Sequence, residues 1–272
     1  MLGYKRKLLE KKLPNHRSTR QPVKTDDRRR GTGKKHPAVG ALYPKGRVFR
    51  ETHPLDHSLQ NTRKISTMNS INDAEEYFDQ IFKNILVGQG ETLTTEFTDC
   101  IFVKCSFESA KFSNCRFIDC TFQECNLSLA EITGSSFPST RFEKSKLIGI
   151  NWTQGNWSRS KLNKLDGFFD CMINHSTFIG LDLSSIQIKN CIANEVDFRE
   201  ADLSKVNFEG TDLDRSLFNH TNLTEADLSR ARNYQIDAGT NILTQAKFSL
   251  PEAIGLLYSM DIVIEEQDNS NL

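Results

Sequence analysis

The sequence predicts an all-β fold: a four-sided β-solenoid behind a disordered basic N-terminal tail, closed at its far end by a short α-helix and strand. Three observations carry this reading: a five-residue spacing of large apolar residues, a usually small residue two places before them, and an abrupt change of composition near Met68.

The tail comes first. Residues 1–68 hold 18 Lys and Arg against 5 Asp and Glu, a balance of +13, which leaves 17 basic and 30 acidic residues, a balance of −13, for the remainder. The neutral total hides a basic tail and an acidic body. Five of the seven prolines and four of the six histidines lie in the tail, with runs such as Arg28-Arg29-Arg30 and no apolar periodicity, so residues 1–67 are expected to be disordered. Met68 marks the change, and translation in the cell is expected to start there, residues 1–67 being an upstream extension of the reading frame. The alternative is a genuine basic arm that touches nucleic acid or folds against the acidic body. The basic start is followed by no apolar stretch of secretory or membrane-spanning length, so the expected compartment is the cytoplasm.

Residues 68–96, with Ala74 to Phe82 followed by Val87-Gly88-Gln89-Gly90, are expected to cover the open edge of the first coil, because stacked coils leave unpaired backbone at each end.

From Phe97 a large residue recurs every fifth place through Phe102, Phe107, Phe112, Phe117 and Phe122 to Trp152, Trp157 and Leu162. After a one-residue slip the spacing resumes at Phe168 and runs to Leu228. Of these 27 positions only Ala193 is not large and apolar. Two residues earlier the side chain is usually Ala, Cys, Ser, Thr or Gly, as at Cys100, Ala110, Cys120, Ala201 and Ser216. A helix would scatter a period of five around its circumference, and a flat strand would alternate it between faces. A chain turning a corner every five residues buries one large and one small side chain per side. Four sides make a coil of about twenty residues, and coils stacked at ~4.8 Å pair their backbones, giving about seven coils over residues 97–232 and a rod roughly 30 Å long. Each buried Phe or Leu contributes on the order of 1.5–3 kcal/mol against exposure.

Ala201-Asp202-Leu203 and Ala226-Asp227-Leu228 resemble the Ala-Asp/Asn-Leu-x-x motif of the pentapeptide-repeat family, and Cys115-Arg116-Phe117 resembles its Cys-x-Phe variant. The resemblance implies a right-handed quadrilateral β-helix.

All seven cysteines fall on the small inward position and are read as compact hydrophobes in a reducing compartment; zinc would need convergent ligands and usually a histidine, and the body holds only His175 and His220. No cofactor is expected. Gly149 and Gly155 are read as making room for Trp152 and Trp157, and a bulge is expected near Gly167 so that Asp166 need not be buried unpaired. Outward acids, counted by repeat, are expected to spread over all four sides. Those taken as the candidate recognition surface are Asp119, Asp182, Asp197, Glu200, Asp202, Asp212 and Asp214.

Residues 233–272 are expected to leave the period. A helix capped by Ser249 begins near Pro251, a strand covers Met260 to Ile264, and a polar tail follows. This ending resembles the dimerisation module of the Qnr-type quinolone-resistance proteins, which implies a homodimer through Ile254, Leu257, Tyr258, Ile262 and Ile264. It also implies a non-enzymatic, DNA-mimicking rod that binds DNA gyrase or topoisomerase IV and relieves fluoroquinolone inhibition. The long projecting loops of many such proteins are missing. The alternative is a scaffold for another macromolecular partner, its acids serving solubility. No glycine-rich phosphate loop and no paired nucleophile and base stand in the sequence.

Overall fold

The computed structural model describes residues 67–68, 70–73, 75–157, 164–260 and 262; the basic tail before them, Leu162, Ile264 and the polar tail lie outside the described residues. The chain winds into a parallel β-solenoid of about eight turns. A large residue stacks on the residue twenty places later, so the period of five becomes four columns. The first side forms a seven-stranded parallel sheet of Thr67–Met68, Ile81–Lys83, Ile101–Val103, Thr121–Gln123, Arg141–Glu143, Gly167–Phe169 and Gln187–Lys189. The fourth side pairs Glu76–Phe78, Glu96–Thr98 and Arg116–Ile118. Coils donate in both directions: the Ile101 N–H to the Gln80 carbonyl and the Lys104 N–H to the Gln123 carbonyl, each at 2.9 Å.

Inside, like side chains stack on like. Phe102, Phe122 and Phe142 lie at centroid distances of 4.5 and 5.0 Å, Phe97, Phe117 and Phe137 at 5.1 and 5.2 Å, and Trp152 rests on Phe178 at 5.6 Å. Offset parallel rings suit the quadrupole of each face, so the ladder adds to simple area burial.

The small inward residues do more than save space. Ser135, Thr140, Ser176, Thr211 and Thr221 each donate a hydroxyl to the carbonyl of the large residue in the coil below, Phe112, Phe117, Leu147, Ile188 and Phe198. Cys100, Cys105, Cys120 and Cys125 place thiols on the equivalent carbonyls at 3.4–3.5 Å. The cysteines are free and buried in the apolar core, as their inward position predicts, and the position also caps a buried acceptor, which favours Cys, Ser and Thr alongside Ala.

The corners also follow from residue type. The last residue of nearly every five has positive φ, as in Asp119, Leu129, Asn190 and Glu225. Where Asp or Asn precedes the large residue, its side chain accepts the N–H two places on, as in Asp182 to Ser184, Asp197 to Arg199 and Asn222 to Thr224. This side chain to backbone bond closes the turn, which explains Asp/Asn in the motif.

Four expectations change. The coil begins twenty residues early: Tyr77, Phe82, Val87 and Leu93 are buried centres, and Tyr77 stacks on Phe97. Leu93 stands six places after Val87 and four before Phe97, which disguised the period, and only the segment before Glu76 covers the end, through Asp73 accepting from the Thr94 N–H. At the other end the ladder continues past residue 232, with Asn222 paired to Ile242 and Asp227 to Lys247. The helix is shorter, Ile254–Tyr258, and Ser249 does not cap it: its hydroxyl accepts the Arg230 N–H. Met260 lies in a turn and Ile262 outside any strand; Asp261, Val263 and Ile264 lie outside the described residues.

The slip near Gly167 is larger than one residue. Phe142 pairs with Phe168, so this coil holds 26 residues where Phe122 to Phe142 holds 20. Counting Leu162 as a centre concealed five of the six extra residues, because five is one whole side. Leu165 is buried and Asp166 turns outward to the Arg141 guanidinium at 2.8 Å. Arg141 also lies over the Phe169 ring at 3.4 Å and pairs with Glu143. Gly167 permits this closure: its φ is 155°, and a Cβ there would stand 2.1 Å from the Gln187 carbonyl oxygen. Gly155 makes room for Trp157, whereas Gly149 gives way to Leu129 rather than to a tryptophan.

Candidate recognition surface

The structure disperses the seven candidate acids over three sides. Asp119, Asp182 and Asp202 lie on the fourth side, Asp197 and Glu200 on the third, and Asp212 and Asp214 on the second. Several carry structural duties. Partial burial opposes ionisation of Asp182, but the Lys164 ammonium at 2.7 Å and the Ser184 N–H and hydroxyl hold its carboxyl below the ordinary value. Asp197 is likewise held down, against partial burial, by the Arg199 guanidinium at 2.7 Å and its N–H. Asp202 accepts from Ser204 and from Asn222 Nδ2, and Asp212 meets Arg232 at 3.4 Å. Much of their charge is thus engaged with backbone or a cation.

Nor do the acids spread evenly. Counting the three outward residues of each five, together with Lys164, whose carbonyl accepts the Ser139 N–H and whose ammonium meets Asp182, the fourth side bears Glu76, Asp79, Glu96, Asp99, Asp119, Asp182, Asp202 and Glu225 against Arg116, Lys164 and Lys205, among the described residues. The first side bears Glu124, Glu143, Asp170, Glu209 and Asp227 against Lys83, Lys104, Arg141, Lys144, Lys189, Arg230 and Lys247. One side is strongly acidic and its neighbour slightly basic. Glu76 and Glu96 are in register on adjacent coils, and Arg116 answers Glu96 at 3.4 Å. Glu76 and Asp79 fall outside a coil counted from Phe97, and extending the period back through Phe82 and Tyr77 assigns them to this side; Glu96 and Asp99 flank Phe97 and are outward acids on either count.

At the C-terminal end Ile254, Leu257, Tyr258 and Ile262 are exposed, between 37% and 65%, together with Leu250 and Met260. The residues expected at a dimer interface, apart from Ile264, therefore form an apolar end to the rod.

A model described as a pentapeptide repeat region matches residues 95–167, and one of eight-copy pentapeptide repeats matches 182–219 and 201–232. No curated protein matches the sequence. Among solved structures, full-length QnrB1, described as a plasmid-mediated fluoroquinolone resistance protein, is 16% identical, covering 72% of this chain and 96% of its own, with a TM-score of 0.49. HetL from Nostoc sp. strain PCC 7120, described as involved in heterocyst differentiation regulation, is 16% identical, covering 66% and 87%, with a TM-score of 0.28.

Proposed function

The chain is a pentapeptide-repeat protein, and from that premise we propose that it is a non-enzymatic, cytoplasmic partner of type II topoisomerases. It presents its fourth side in place of duplex DNA and relieves fluoroquinolone inhibition of DNA gyrase or topoisomerase IV. The observation that carries the reading is the charge of that side, eight acids against three bases among the described residues. A row of carboxylates at coil spacing sets up a field that attracts surfaces built to hold phosphates. The apolar end formed by Leu257 and Tyr258 supports pairing of two copies, which doubles the length of acidic rod.

The test is gyrase supercoiling with and without ciprofloxacin, titrated with the full chain. Wild type restores supercoiling. Glu76→Lys with Glu96→Lys abolishes the effect, and the same exchange at Glu124 and Glu209 on the first side leaves it. Glutamates are the right targets because the side chains that close the corners are those of Asp and Asn. No restoration with either gyrase or topoisomerase IV overturns the topoisomerase reading and leaves the alternative, a scaffold for another basic macromolecule.

A further inference from the structure

Six of the seven buried cysteines form pairs on adjacent coils. Cys100 and Cys120, Cys105 and Cys125, and Cys171 and Cys191 each precede a residue in direct parallel register with its partner: Ile101 with Thr121, Ser106 with Asn126, and Met172 with Ile192. Within the first two pairs both thiols also point the same way. Cys100 Sγ donates to the Tyr77 and Thr98 carbonyls and Cys120 Sγ to those of Phe97 and Ile118, the same two positions one coil on. Cys105 and Cys125 repeat the arrangement. Paired sulfurs in the same orientation are separated by one coil rise, ~4.8 Å.

That separation selects a ligand. A disulfide needs Cβ atoms about 3.8 Å apart, closer than an in-register parallel ladder holds them. Four-coordinate zinc needs more donors, and among the described residues no group of three or more His, Cys, Asp or Glu could hold a metal. Two metal–thiolate bonds in line, each near the zinc–sulfur length of about 2.3 Å, however, span about 4.6 Å. We propose that each stacked cysteine pair binds one soft, two-coordinate divalent cation of the mercuric type between its sulfurs. Each thiol releases a proton to solvent, each sulfur supplies an electron pair to one new bond, and no electron is transferred. The two thiolates cancel the cation's charge, which suits a site exposed by 2% or less. A monovalent cation on two thiolates would leave a buried negative charge. Thiolate ligands select soft metals in any case.

The test titrates the folded full chain with mercuric chloride and reads uptake by native mass spectrometry and the thermal unfolding midpoint. Three tightly held ions and a raised midpoint are expected, since each ion ties two coils together. The variant C120S/C125S/C191S loses all three ions and the rise, while C115S, whose thiol has Thr95 and Ser135 above and below it, loses neither. Serine already occupies this position at Ser135 and Ser145, with the same hydrogen bond, so the variants keep the fold. One mercury per thiol with a lowered midpoint, no uptake before unfolding, or full uptake by the triple variant overturns the proposal.

Discussion

The Ser135 hydroxyl donates to the Phe112 carbonyl, twenty-three residues earlier and 2.9 Å away, and accepts the Cys115 N–H at 2.9 Å. One buried side chain thereby satisfies two backbone groups that water does not reach. Ser135→Ala leaves both without that partner and should lower stability by about 1–3 kcal/mol in urea unfolding. Ser135→Cys should cost less, because a thiol fills the equivalent place at Cys115.

Phe122 lies mid-ladder between Phe102 and Phe142, and is fully buried. Phe122→Ala should cost about 3–5 kcal/mol. Phe218, exposed by 6% near the end of its column, should cost less on the same change. Denaturant midpoints of the two variants check the order.

Leu129 holds a φ of 58° at a corner and is 57% exposed. A left-handed conformation costs a residue with a Cβ about 1–2 kcal/mol, so Leu129→Gly should raise the thermal midpoint despite losing contact with Gly149.

Asp197 is held below its ordinary value of 3.8 by Arg199, against the opposing effect of partial burial. With a depressed folded pKa the unfolded chain takes up the proton first. The stabilisation is therefore present above that ordinary value and drains away as pH falls through the folded one. Asp197→Asn should flatten the acid limb of a stability–pH profile, and so should Asp182→Asn, whose carboxyl Lys164 holds down.

If the apolar C-terminal end pairs two copies, Leu257→Asp should halve the mass measured by light scattering. An unchanged mass would assign that end to capping alone.

The period of five was legible because each side must bury a large residue and, two places before it, a second and usually small one, and neither helix nor flat strand can. What escaped the sequence lay where side chains do two things at once. Cys120 and Thr140 look like space-savers until the carbonyls of Phe97 and Phe117 are seen beneath them. Asp182 looks like a recognition acid until its bond to the Ser184 N–H shows it closing a corner. The asymmetry of charge was hidden for another reason: it depends on which residues share a side, and the misplaced start at Phe97 and the six-residue surplus before Phe168 both upset that assignment.

That surplus has a wider consequence. Each coil is aligned only by the coil before it, so after the long turn Phe168 returns over Phe142 and Ile188 over Phe168 in unbroken phase. The solenoid behaves like a reading frame that repairs itself at each revolution: material added at one corner is forgotten one turn later. Decoration there leaves every later side facing the direction it would have faced without it.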